Sequence, residues 1–203
     1  GLGVNNVNIV ILVINVVVIV NRTINLSTCI LVYLSTEQST RLLVNSSTRQ
    51  LNIYIHMKIL VLGAGKMGSF FIDLLSFSHE VAVYEHDPLR LRFTYNCQRF
   101  TQLDEIREFQ PELVINAVTV KYTISAFDEV IPYLPKSCLL SDISSVKTGL
   151  KAYYEGTGFR YVSSHPMFGP TFANLNQLQE ENAIIISEGD YMGRCFFREL
   201  YRS

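Results

Sequence analysis

At 203 residues the chain has the length of one domain, or one domain with an appendage. Its 17 basic and 18 acidic residues leave a net charge of −1, which argues against nucleic acid or another polyanion as partner. Cys29, Cys97, Cys138 and Cys195 share no CxxC or Cys/His ligand spacing, so no metal site and no disulfide framework is expected, and reduced thiols in a cytoplasmic protein are.

Residues 1–56 differ in composition from the rest. They contain no proline and one acidic residue, Glu37, among Asn, Ser, Thr, Val and Ile in patternless order. Val7 to Val20 is apolar, but Asn8 and Asn15 interrupt it, and it is shorter than the roughly 20 residues that cross a bilayer. Arg22 follows this run instead of preceding it, which fits a secretory signal poorly. The segment is expected to be a non-globular or non-native extension, read from upstream of a start at Met57, with no membrane anchor.

From Met57 onward, residues 57–203, the pattern is that of a folded domain. Lys58 to Leu62 is an apolar run of strand length that ends on Gly63-Ala-Gly65-Lys-Met-Gly68. Met67, Phe70, Phe71, Leu74 and Leu75 then recur at helical spacing. Val81 to Tyr84 is a second strand, followed by a helix opened by Pro88 and carrying Leu89, Leu91 and Phe93. The alternation continues with a helix at 103–109, a strand at 113–116, a helix at 122–134 and a strand at 138–142. A helix at 147–155, strands at 160–164 and 183–187, and a helix from Tyr191 complete it. Such alternation predicts an α/β fold, a Rossmann-type doubly wound, mostly parallel sheet covered on both faces.

Ligands of such sheets bind beyond the carboxyl ends of the strands, and Gly63, Glu85, Thr119, Ser144 and His165 all fall just past predicted strand ends. In the glycine motif Gly63 allows the tight turn, Gly65 lets backbone N–H groups approach a pyrophosphate, and Gly68 lets the helix pack against the strand. A strand before the motif, a helix after it and an acidic residue about 20 positions on complete the dinucleotide fingerprint. The expected cofactor-binding residues are Gly63, Ala64, Gly65, Lys66, Met67 and Gly68, with Glu85 and Thr119. A carboxylate at Glu85 would accept hydrogen bonds from ribose hydroxyls and repel a 2′-phosphate, favouring NAD over NADP. The competing reading makes Glu85 a solvated strand-end residue and Asp87 a helix cap.

Asp142-Ile-Ser144-Ser145-Val-Lys147 ends a strand in small hydroxyl residues. Ser144 or Ser145 could simply cap the next helix, or Ser145 could reach a substrate or a catalytic histidine. Lys147 reads as surface or structural. His165, held extended by Pro166, could accept a hydroxyl proton as hydride leaves the same carbon, since imidazole titrates near neutrality. A histidine there is also compatible with a purely structural role.

The glycine turn, Asp142-Ile-Ser-Ser-Val-Lys147 and His165-Pro-Met-Phe-Gly-Pro170, in this order and spacing, resemble the N-terminal part of the prephenate dehydrogenases of tyrosine biosynthesis. The resemblance runs from Met57 to about Arg202. It implies oxidation and decarboxylation of prephenate to 4-hydroxyphenylpyruvate with NAD or NADP, with His165 bonding the ring hydroxyl and Ser145 supporting it as the catalytic pair. It also implies a following helical domain that supplies homodimer contacts, closes the substrate pocket and contributes an arginine for the substrate carboxylates. Because the chain stops at Ser203, a fragment with little turnover is expected, and Arg194, Arg198 and Arg202 are expected to be solvated and not a substitute clamp. An arogenate dehydrogenase, or an NAD-binding module without turnover, are the alternatives.

Overall fold

Residues 8–13, 16–21, 56–92, 94–169 and 181–202 are described by the computed structural model. Two strands, β1 (Asn8–Val13) and β2 (Val16–Asn21), form an antiparallel pair of their own. Apart from these and His56, the expected extension lies outside the described residues.

The main sheet has seven strands: β3 (Lys58–Leu62), β4 (Glu80–Tyr84), β5 (Gln98–Phe100), β6 (Leu113–Asn116), β7 (Leu139–Asp142), β8 (Arg160–Pro166) and β9 (Ala183–Ile185). Their order is β5-β4-β3-β6-β7-β8-β9, all parallel except the antiparallel edge strand β9. The order reverses between β3 and β6, which opens the crevice where doubly wound sheets bind ligands.

Two cores follow from the period-two alternation of buried strands. Ile59, Val61, Val83, Ile115 and Val162 face α1 (Lys66–Leu75) and α6 (Tyr191–Leu200), meeting Phe71, Leu75, Phe197 and Tyr201. Leu60, Leu62, Ala82, Val114 and Leu140 face the other layer, α3 (Leu103–Phe109), α4 (Thr123–Val130) and α5 (Leu150–Thr157), meeting Ile106, Phe127 and Tyr154. Burial of both faces is why these strands read as continuous apolar runs. Among the described residues no helix is long and apolar enough to cross a membrane.

Several expected elements change. The helix opened by Pro88 is a single turn, α2 (Pro88–Leu91), capped by Asp87, whose Oδ1 accepts the Leu89 N–H at 2.9 Å. It buries Leu91 and leaves Leu89 exposed, while Phe93 lies outside the described residues. Thr94 then bonds back to the Leu91 carbonyl, and the chain enters β5, a strand missed in the sequence because it is three residues long and two of them are exposed. The predicted helix at 122–134 divides into α4 between two 3-10 turns, the second containing Pro132, which lacks an N–H for helical bonding. The helix predicted from Lys147 begins only at Leu150, after Gly149 in a left-handed conformation. Cys97 and Cys138 are free thiols, but Cys195 is disulfide-bonded, which corrects the expectation of reduced thiols for that residue.

His79, between α1 and β4, accepts the Met57 N–H through Nδ1 at 3.3 Å, and its ring packs 5.8 Å from that of Phe196. Burial, with a smaller contribution from His56, lowers its pKa to about 4. The folded protein therefore refuses a proton that the unfolded chain accepts near its ordinary value of 6.5. This contribution is fully present above pH 6.5 and is lost as pH falls towards 4, about 3 kcal/mol in all at 1.36 kcal/mol per pKa unit. Urea midpoints measured across that range should fall, and His79→Gln should flatten the dependence.

Candidate active site

The site is built along one edge of the sheet. Gly63 leaves β3 at φ +92°, a left-handed conformation, and its N–H donates to the Tyr84 carbonyl of β4 at 2.9 Å. Gly68, in the first turn of α1, lies so close to this bend that a Cβ there would stand 1.9 Å from the Gly63 carbonyl oxygen. A side chain at Gly65 would instead enter open space. Thus Gly68 brings the helix onto the strand, while Gly65 keeps its outer side clear. The N–H groups opening α1, those of Gly65, Lys66 and Met67, have no acceptor within the helix and carry the positive end of its dipole. Lys66 is exposed and Met67 packs against the α1-side core.

Glu85 follows β4 and is 9% exposed. Its Oε2 accepts the Ala64 N–H at 2.9 Å, and its Oε1 accepts the Asp87 N–H at 3.1 Å. The carboxylate thus pins the glycine turn to the end of β4, a role not visible in the sequence, and the reading of Glu85 as a solvated residue does not hold. One carboxylate oxygen accepts up to two hydrogen bonds, so capacity for ribose hydroxyls remains. Asp87, the cap of α2, places a second carboxylate beside it.

On the other side of the switch point, Ala117 N–H donates to the Leu62 carbonyl at 3.0 Å, and Val118 packs against Gly63. Buried Asn116 holds this loop, accepting the Val118 N–H at 3.3 Å and donating to the Thr123 carbonyl at 2.9 Å. Thr119 is exposed at the head of the 3-10 turn Val120–Tyr122.

At β7 a polar cluster stands in place of a serine helix cap, one of the two readings of this segment. Asp142, fully buried, accepts the Ser144 N–H at 3.0 Å and Lys147 Nζ at 2.5 Å through Oδ2, and the Tyr154 hydroxyl at 2.8 Å through Oδ1. Ser144 Oγ donates to the Val146 carbonyl at 3.1 Å, and Gly149, not a serine, precedes α5. Ser145 is exposed on this loop. Burial lowers the Lys147 pKa against the opposing pull of Asp142, and burial followed by the Asp142 charge raises that of Tyr154 well above its ordinary value. The pairing of Asp142 with Lys147 and Tyr154 is absent from the sequence reading, although an aspartate ending a buried apolar strand demands a partner and a lysine five residues on could supply it.

His165 is not beyond β8 but inside it, paired with Ile184 of β9. The added strand pairing extends β8 by two residues past its predicted end. Alternation along β8 puts His165 and Ser163 on the face of Tyr161, which stacks on Tyr154 at 4.6 Å. His165 Nδ1 is buried and meets no hydrogen-bond partner among the described residues, and Ser163 Oγ is in the same state. Such groups are costly to leave unpaired, and Ser141 Oγ and Arg194 Nε share this state among the described residues. Of the arginines near the end of the chain, Arg198 is exposed, Arg202 pairs with Glu199 at 3.7 Å and Arg194 lies over the Tyr191 ring at 5.7 Å.

The residues expected at the site therefore share the carboxyl edge of five neighbouring parallel strands, β4-β3-β6-β7-β8. Four strand intervals of ~4.8 Å separate Glu85 from His165, about 19 Å along the edge.

A parallel sheet with a glycine turn at its switch point defines a Rossmann-type nucleotide-binding domain. Residues 76–194, more than half of the chain, match the family model described as prephenate dehydrogenase, nucleotide-binding domain, and the chain belongs to this family. The match begins after the glycine turn and includes Glu85, Ser145 and His165. A probable arogenate/prephenate dehydrogenase of Methanocaldococcus jannaschii is 39% identical over 67 residues, covering 32% of this chain and 15% of that protein. The fold is similar to prephenate dehydrogenase from Aquifex aeolicus in complex with hydroxyphenyl propionate and NAD+, with a TM-score of 0.61 and 19% identity, covering 71% of this chain and 56% of that one. It is also similar to Synechocystis arogenate dehydrogenase, with a TM-score of 0.57 and 16% identity, covering 71% of this chain and 55% of that one. The chain thus spans a little over half the length of these structural relatives and a smaller part of the Methanocaldococcus protein.

Proposed function

We propose that this domain binds NAD and serves the oxidative decarboxylation of prephenate, with His165 as the base that takes the ring-hydroxyl proton. The observation that carries this reading is the buried Nδ1 of His165, which meets no hydrogen-bond partner among the described residues, on the same sheet edge as the glycine turn. The residues present fit a dinucleotide: Gly65 keeps the helix end open, the first N–H groups of α1 suit a pyrophosphate, and Glu85 suits a ribose. NAD, when bound, supplies the hydride acceptor. His165 removes the hydroxyl proton, Ser145 on the neighbouring loop donates a hydrogen bond, and loss of the ring carboxylate as carbon dioxide makes the ring aromatic and the reaction effectively irreversible. A substrate hydroxyl reaching His165 would also give its Nδ1 the partner it lacks among the described residues. Arogenate, which keeps the same ring and differs in its side chain, is the second reading, favoured by the names of two of the relatives.

Titration calorimetry with NAD+ and NADP+ tests the cofactor reading. NAD+ is expected to bind more tightly, and Glu85→Ala should narrow the gap by about 1–3 kcal/mol as a charge-assisted hydrogen bond is lost. Since Glu85 also holds the Ala64 N–H, both cofactors should bind the variant less well than the parent. Tighter NADP+ binding by the unsubstituted protein would overturn the assignment of Glu85.

A further inference from the structure

Lys147 has no part in the chemistry above, yet it joins the two strands that carry it. Its ammonium donates to Asp142 Oδ2 at 2.5 Å and to the Ser164 carbonyl at 2.6 Å, and Ser164 immediately precedes His165. The first contact closes the loop 142–147 on itself, and Ser144 tightens it through the Asp142 carboxylate and the Val146 carbonyl. Ser145 and Val146 are the residues left projecting into solvent. The second contact ties this closed loop to the backbone of β8. One charged group therefore sets the loop bearing Ser145 against the strand bearing His165.

We propose that Lys147, with Asp142 as its counter-ion, is a positioning residue that holds Ser145 in register with His165. The proposal rests on the reading of His165 as the base. Several features distinguish this ammonium from an ordinary surface lysine. It is only a quarter exposed, its carboxylate partner is fully buried, and the other Asp142 oxygen is held by Tyr154, which anchors the assembly to α5. Charge-assisted bonds of this length are directional, so the ammonium fixes a geometry and does more than neutralise a charge. A buried ion pair is weak evidence for stability, since well-packed apolar residues often replace one without loss, and its best-attested use is to specify an arrangement. Here the arrangement specified is the relation between two strand ends.

The test uses the full chain and three variants, Lys147→Met, Asp142→Asn/Lys147→Met and His165→Asn. The single change strands a buried carboxylate and unfolds the protein if nothing else compensates, whereas the double variant removes both charges, and its amide oxygen can accept the Ser144 N–H while its NH2 donates to the Tyr154 hydroxyl oxygen. The readouts are the thermal midpoint, NAD+ affinity and the His165 imidazole resonance, assigned by its loss in His165→Asn. In the folded double variant, NAD+ affinity should stay within a factor of about three, because the glycine turn and Glu85 are untouched. The His165 resonance should shift and broaden as the strand end loses its tether. A double variant with a parental melting point and an unchanged His165 resonance would overturn the positioning role. That outcome leaves the role of His165 itself standing, since the latter is tested separately by turnover and NAD+ affinity of His165→Asn. Where turnover is measured, Lys147→Met or the double variant should lower kcat by about 10²-fold, the usual effect of a displacement near 1 Å, with KM changing far less.

Discussion

Replacing Gly68 by alanine should abolish measurable NAD+ binding and lower stability by about 3 kcal/mol or more. The added methyl would stand 1.9 Å from the Gly63 carbonyl oxygen, and the obstacle is backbone, not a side chain able to turn away. Overpacking of a core commonly costs about 1–3 kcal/mol where side chains can adjust, and here α1 must lift from β3. That movement carries the N–H groups of Gly65, Lys66 and Met67 away from their place at the switch point. Gly65→Ala should behave oppositely: its methyl meets open space, so the melting temperature should hold while NAD+ affinity falls, since in the proposed binding mode a pyrophosphate approaches through the space it takes. Thermal melts and calorimetric titrations of both variants check this. Equal stability losses for the two would show that the turn is read wrongly.

The second large effect concerns His165. In a protein of the relatives' full length carrying this domain, His165→Asn should lower turnover of prephenate by about 10²–10⁴, the range for loss of a positioned general base. NAD+ affinity should barely change, because β8 is separated from β4 by three intervening strands and Glu85 stands about 19 Å away along the edge. Steady-state NADH formation and NAD+ titration together make the check. If NAD+ affinity fell in step with turnover, His165 would be structural, and another base would be needed.

Much of this architecture was legible because local signals agreed with one another. Lys58–Leu62, Leu113–Asn116 and the glycine turn were visible because strands buried on both faces read as apolar runs and a left-handed bend calls for glycine. The losses occurred where long-range contacts overrode local pattern. Gln98–Phe100 becomes a strand because β4 offers it an edge, and two of its three side chains are exposed. Residues 147–149 look helical, but Lys147 is drawn back to Asp142 and Ser164, partners brought near by the pairing of β7 with β8. Glu85 was recognisable as the acid at the end of β4, whereas its grip on Ala64 depends on a contact between residues 21 positions apart. His165 was placed beyond its strand because the antiparallel pairing with Ile184 that extends β8 has no signature near the histidine.

The central claim, that this domain binds NAD beside a histidine that deprotonates a ring hydroxyl, is tested most directly by product stoichiometry. NADH and carbon dioxide would be measured together after prephenate is added to the NAD+-loaded protein at its relatives' full length. The expected result is the two products in equal amounts, with both lost in His165→Asn. Bound NAD+ with neither product from prephenate or arogenate, or equal product formation by His165→Asn, would contradict it.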